Sequence, residues 1–171
     1  HLSLRRQRQM CIRDSRDIEA LAAIGERLAD RTMTAEAHRM RGMLANSTGQ
    51  MDVARRELGE AVDLLRQTDT PALLANALRQ RGFIEMFTGS LRDAEWFFGE
   101  ADGLFRQLGD ERGLAYIEQH RAWLSFNAAE FDEARSRLVH AAKTLERLGD
   151  RSGVGWANGL LAFIEFFERN F

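Results

Sequence analysis

The sequence predicts an all-α protein, an α-solenoid of helix-turn-helix units, and three observations carry that prediction. Leu108-Gly109-Asp110 recurs forty positions on as Leu148-Gly149-Asp150, and a fixed period of that size marks stacked repeats. Small residues keep the same period, in one column at Gly42, Gly82, Ala122 and Ala162 and in another at Ala54, Ala94 and Ala134. Between the breaks the apolar residues step by three and four, and the period-two alternation that strands need is absent.

Eight helices follow in order, at 17–29, 33–47, 51–67, 71–88, 91–107, 111–128, 131–147 and 151–169. The first carries Ile18, Leu21 and Leu28, with Gly25 interrupting its apolar column. The second ends at the small-residue break Asn46-Ser47-Thr48-Gly49. The third, fifth and seventh repeat one buried face: Met51, Ala54, Leu58, Ala61, Leu65; Leu91, Ala94, Phe98, Ala101, Phe105; Phe131, Ala134, Leu138, Ala141, Leu145. Its small residues let helices approach closely while Leu and Phe fill the space between them. The fourth opens at Pro71, the sole proline, because a first-turn position tolerates the missing N–H. The sixth and eighth open after Asp110 and Asp150, whose carboxylates can accept hydrogen bonds from the first turn. The fourth and sixth close at Thr88-Gly89-Ser90 and Asn127-Ala128-Ala129.

The amino-terminal stretch differs from the rest. Arg5 to Ser15 resembles a translated transposase-type sequencing adapter over all eleven residues, so residues 1–15 are set aside as an assembly artefact. Taken as native, Arg5, Arg6, Arg8 and Arg13 would read as a basic nucleic-acid arm. Cys11, the one cysteine, is excluded with that stretch, which leaves no thiol chemistry to argue. The body, 16–171, then divides into units at 31–70, 71–110 and 111–150 with half units at 16–30 and 151–171. Phe171 aligns with Met51, Leu91 and Phe131, so the repeat array is expected to be cut at both ends, and the cut ends are expected to self-associate.

A formal net charge of −2 argues against direct nucleic-acid binding. Lys143 is the sole lysine, and the excess of arginine suits a GC-rich coding sequence. The longest apolar stretch, Gly153 to Phe167, is interrupted by Asn158 and Glu165 and is too short to cross a bilayer.

A small residue followed by Ala after twelve positions, Leu or Phe after sixteen and Ala after nineteen resembles the tetratricopeptide repeat. The sets are Gly42, Ala54, Leu58, Ala61; Gly82, Ala94, Phe98, Ala101; and Ala122, Ala134, Leu138, Ala141. Gly49, Gly89 and Ala129 fit as well. Two departures stand out: the period is forty rather than the common thirty-four, and arginine (Arg41, Arg81, Arg121) precedes the small residue. The longer period with a Leu-Gly-Asp link is similar to repeats in large bacterial regulators, namely signal-transduction ATPases of the maltose-activator type and cyclase-linked proteins. The resemblance implies a right-handed superhelix and a cytoplasmic, protein- or peptide-binding regulatory module with no catalysis, cofactor or metal of its own. The competing reading is a sensor of a small effector, a sugar or nucleotide, that controls an attached ATPase or cyclase.

By the same resemblance, the inner helices line a concave surface through Glu36, Arg39, Met43 and Asn46; Asn76, Arg79, Phe83 and Met86; Tyr116, Gln119, Trp123 and Phe126; and Trp156, Phe163 and Phe166. Among these, Tyr116 and Trp156, near helix starts, are the groove candidates, with Arg39, Arg79 and Gln119 beside them; Trp123, Phe163 and Phe166 are expected in the core between units. Arg41, Arg81 and Arg121 suit either a trough for an acidic or phosphorylated ligand or ion pairs with Glu85, Glu118 and Glu165, the latter weighing more. Convergence of Arg121, His120 and Tyr116 on a closed pocket would favour the small effector. His38, His120 and His140 lack ligand-pair spacing, and no phosphate loop is present. Gly153 and Gly155 precede a helix without the strand a nucleotide fingerprint needs.

Overall fold

The computed structural model of the 171-residue chain describes the backbone of residues 2–170 and the side chains of residues 15–169. Its described residues form helices and no strand: α1 (Leu2–Leu28), α2 (Arg31–Ser47), α3 (Met51–Leu65), α4 (Pro71–Thr88), α5 (Leu91–Leu108), α6 (Glu111–Asn127), α7 (Phe131–Arg147) and α8 (Arg151–Asn170). They fall into two compact units, His1–Ser90 and Leu91–Phe171. In the first, α1 packs on α2, α2 on α3 and α3 on α4, and α2 also reaches α4. In the second, α5, α6, α7 and α8 follow the same sequence-ordered packing, with α6 reaching α8.

Most helix ends lie within two residues of the expected ones. The exception is α1, which begins at Leu2, so the expected 17–29 is the carboxyl half of a longer helix. The adapter-like stretch up to residue 14, with Cys11, lies outside the described side chains, and Phe171 lies outside the described residues. Capping explains the starts: Asp30, Asp110 and Asp150 accept hydrogen bonds from the backbone N–H of Met33, Gly113 and Gly153 at 3.0, 2.9 and 3.0 Å. At the ends, Gly49 and Gly89 take left-handed backbone with φ of 76° and 95°, and Ala129 holds the same place forty residues on with φ 61°. A side chain there costs stability that glycine avoids.

All twelve inward positions of the repeated face, Ala54 to Leu65, Ala94 to Phe105 and Ala134 to Leu145, are fully buried. In the first unit Ala54 and Leu58 of α3 meet Ala45 of α2 and Ile84 of α4. Close approach requires Gly42, where a Cβ would stand 2.7 Å from Leu58 Cγ. In the second unit Ala134 and Leu138 of α7 meet Ala122 of α6 and Ala157, Leu160 and Ile164 of α8. Ile18 and Ala22 pack α1 onto Ala37 of α2. Leu28, expected on the same face, is exposed where the helix ends.

Candidate binding surface

The three arginines of the column perform one task, each holding its helix to the preceding one. Arg41 of α2 forms a bidentate pair with Glu19 of α1, at 2.9 and 2.6 Å. Arg81 of α4 donates to the backbone carbonyl of Arg55 in α3 and pairs with Glu85 at 2.6 Å. Gly59 makes room for that guanidinium, since a Cβ there would lie 2.7 Å from Arg81 Nη1. Arg121 of α6 meets Glu95 and Asp102 of α5 at 2.9 and 3.4 Å and Glu118 at 3.6 Å. Burial alone would lower the Arg121 pKa, but the Glu95 hydrogen bond and the surrounding carboxylates raise it above the usual value. The ion-paired arrangement therefore describes all three positions. Glu165, a suggested partner of this column, pairs instead with Arg135 at 3.1 Å.

The other candidates separate by burial. Arg39 ties α2 to α4 through Gln80 Oε1 at 3.1 Å and pairs with Glu36; Arg79 is half-buried on α4. Gln80, which sequence reasoning passed over, is buried at this junction. Gln119 is fully buried and donates through Nε2 to the Gly153 carbonyl at 2.7 Å. Tyr116 donates to Asp150 Oδ2 at 3.0 Å, so both latch α6 to the start of α8. The Gly153 N–H, opposing the upward pull of burial and assisted by Tyr116 and Arg112, holds the Asp150 carboxyl below its ordinary value. His120 is buried, stacked on Phe98 at 5.3 Å and meeting the edge of half-buried Trp156 at 5.7 Å. Tyr116 thus meets Asp150, His120 meets Phe98 and Trp156, and Arg121 meets Glu95 and Asp102.

A second polar contact joins α2 to α3. His38 Nδ1 lies 2.9 Å from Glu57 Oε2. Eighty residues on, Glu118 Oε2 accepts from Arg137 Nη1 at 2.8 Å, joining α6 to α7 with the polarity reversed. Burial would raise the Glu57 carboxyl, but hydrogen bonds from His38 and Arg56 outweigh it and hold the group below its ordinary value.

The most exposed apolar feature of the second unit is aromatic. Trp123 and Phe126 of α6, Phe131 of α7, and Phe163 and Phe167 of α8 form one ring cluster with centroids 5.3–6.4 Å apart. Phe163 is 44 % and Phe166 65 % exposed, and half-buried Trp123 backs the cluster. The apolar period places these residues on an inner helix but does not say which of its sides a neighbour covers. The first unit carries a smaller counterpart, with Met43 and Phe87 exposed and Phe83 meeting Phe87 at 4.9 Å.

Elsewhere in the second unit a cavity of about 460 Å³ lies among α5, α6 and α7, bordered by Asp102, Arg106, Glu118, His140, Thr144 and Arg147. Among the described residues no group of three or more His, Cys, Asp or Glu is placed to hold a metal ion. No described helix is long and apolar enough to cross a membrane. Each unit thus exposes apolar side chains, while the charged side chains described above largely join helices. No protein-family model matches this chain, and a search of curated proteins finds no match either.

Proposed function

We propose that the chain is a protein- or peptide-binding module of a larger bacterial signalling or transcriptional regulator, acting in the cytoplasm as a preformed surface without covalent chemistry. In this reading its helix pairs belong to a right-handed, tetratricopeptide-like α-solenoid, a reading supported by the forty-residue spacing of the fully buried columns. The observation that carries the binding function is the exposure of Phe163 and Phe166 beside a packed ring cluster. Exposed aromatics on a rigid backing suit recognition of a partner's apolar side chains. The cavity among α5, α6 and α7 favours the second reading, a small effector controlling an attached ATPase or cyclase.

The test is selection of a random displayed peptide library on the 171-residue chain. Selected peptides should lose about tenfold in affinity or more on the Phe163→Ser/Phe166→Ser protein. An empty selection, together with thermal stabilisation by sugars or nucleotides, would transfer the assignment to the effector reading.

A further inference from the structure

We propose that the cavity among α5, α6 and α7 binds a free α-amino acid by its ammonium and carboxylate groups. The proposal does not rest on the peptide-binding reading, since the cavity lining and the ring cluster share no residue. Internal repetition shows that the fold does not require this lining. His140, Thr144 and Arg147 border the cavity from one face of α7. Forty residues earlier the same places hold Glu100, Leu104 and Gln107, and eighty residues earlier Glu60, Leu64 and Gln67. The buried positions beside them keep their character: Ala141 and Leu145 match Ala101 and Phe105, and Ala61 and Leu65. The third copy therefore exchanges an acid, an apolar side chain and a neutral amide for an imidazole, a hydroxyl and a guanidinium, and that change borders the cavity. On the other two walls, Asp102 and Glu118 stand where Val62 and Leu78 are buried forty residues earlier. No described residue hydrogen-bonds the Thr144 hydroxyl or the His140 ring.

Charge selects the class of ligand. Glu111 and Arg147, both in the lining, meet at 2.8 Å with side chains 56 % and 59 % exposed. An exposed pair holds weakly, so both groups can turn to a ligand. An anion that took Arg147 would leave Glu111 uncompensated as water is excluded, and a cation that took Glu111 would do the same to Arg147. A molecule that carries both charges side by side replaces the pair and strands neither. An α-amino acid has its ammonium and carboxylate on one carbon, which is that arrangement. The other lining carboxylates ask for no further charge: Asp102 holds Arg106 at 2.8 Å and Arg121 at 3.4 Å, and Glu118 holds Arg137 at 2.8 Å. Thr144, one turn before Arg147, adds a hydroxyl for the ligand carboxylate, while Leu114 and Ala115, one turn beyond Glu111 on α6, offer its side chain an apolar wall. From Glu111 to Glu118 the α6 lining rises about 10 Å, length enough for head group and side chain. The volume of about 460 Å³ is that of a small-ligand site.

The experiment adds each of the common L-amino acids in turn to the 171-residue chain, at about 10 mM, and reads the melting temperature, with calorimetric titration of the strongest responder. At least one should raise the melting temperature. Its Nα-acetyl derivative, which lacks the ammonium, and its α-carboxamide, which lacks the carboxylate, should each bind about tenfold or more weakly. Glu111→Gln and Arg147→Gln should each weaken binding by about the same factor and leave the melting of the ligand-free protein nearly unchanged, because the pair is exposed. Phe163→Ser/Phe166→Ser should leave the titration as it was. Absence of a response to every amino acid would overturn the proposal, as would blocked derivatives that bind equally well or indifference to both lining substitutions. Loss of binding on the phenylalanine changes would overturn it too, because the ligand would then sit on the aromatic face. Peptide selection reads separately: an empty selection alongside amino-acid binding removes the peptide-binding function and leaves this site, and selected peptides without amino-acid binding remove this site alone.

Discussion

Shifting the first unit by eighty residues lays α2, α3 and α4 on α6, α7 and α8, and the two copies differ in an orderly way. Their buried face is nearly unchanged: Ala54, Leu58, Ala61 and Leu65 become Ala134, Leu138, Ala141 and Leu145, all fully buried. The contact beside that face keeps a hydrogen-bonded carboxylate but exchanges its owner, His38–Glu57 becoming Glu118–Arg137. A third set changes most, with Met43, Asn46, Met51 and Met86 replaced by Trp123, Phe126, Phe131 and Phe166. Packing limits the first set because volume must match on both sides of the seam. The second set needs only a donor opposite a carboxylate. Buried Met86 apart, the third set is only partly enclosed, its members packing against the edges of the cores, and so has more room to diverge.

Glu85 and its counterpart Glu165 show how one neighbour alters an otherwise repeated contact. Both accept from an arginine of the preceding helix, Arg55 at 2.9 Å and Arg135 at 3.1 Å. Glu85 is 1 % exposed and Glu165 48 %. The first unit supplies a second guanidinium, Arg81, where the second has Leu161. Glu165 has only the exposed Arg169, at 3.9 Å, as its second partner, whereas Glu85 has the largely buried Arg81 at 2.6 Å, and a carboxylate held by two close guanidinium groups tolerates burial better.

The sharpest way to break the comparison is in the shared core. Leu58→Ala and Leu138→Ala should each cost about 2–5 kcal/mol by urea denaturation, since both leave a cavity at a fully buried seam. Markedly unequal losses would show that the units are not equivalent. Next comes the carboxylate pair. Glu85→Gln should cost about 3 kcal/mol by leaving two arginines without their acid, whereas Glu165→Gln should cost less than about 1 kcal/mol at its half-exposed site.

Acid should act on the first unit through Glu57. A carboxyl held below its ordinary value adds stability at neutral pH and loses it as pH falls through the ordinary carboxylate range toward the folded value. Glu57→Gln should therefore flatten that part of the stability–pH curve, measured by thermal melts between pH 7 and 3 (about 3–7 spans the window). The smallest expected effect is a gain. Ala129→Gly should stabilise by roughly 0.5–1 kcal/mol, because it gives the second unit the residue that Gly49 supplies in the first.

Much of the fold is legible in the sequence because one period writes both the helices and their buried faces. Pro71, the cap residues Asp110 and Asp150, and the twelve Ala, Leu and Phe positions each state a local requirement that the structure meets. The surface is harder to read. Gln119 and His120 look like groove polarity until α8 supplies the Gly153 carbonyl and Trp156 that bury them. The repeat marks Phe163 and Phe166 as contacts for a following unit, and the packing of α8 against α6 and α7 shows which side they leave open. Arg121 could have been resolved in advance only by knowing that Glu95 and Asp102, on the preceding helix, come within reach.

The most direct test of the account is hydrogen exchange, residue by residue, on the protein with and without a selected peptide. Peptide should slow exchange at 123–131 and 163–167 and leave the corresponding apolar patch of the first unit, at 43–51 and 83–87, unchanged. Slowing confined to the first unit, or lining the cavity among α5, α6 and α7 instead, would contradict it.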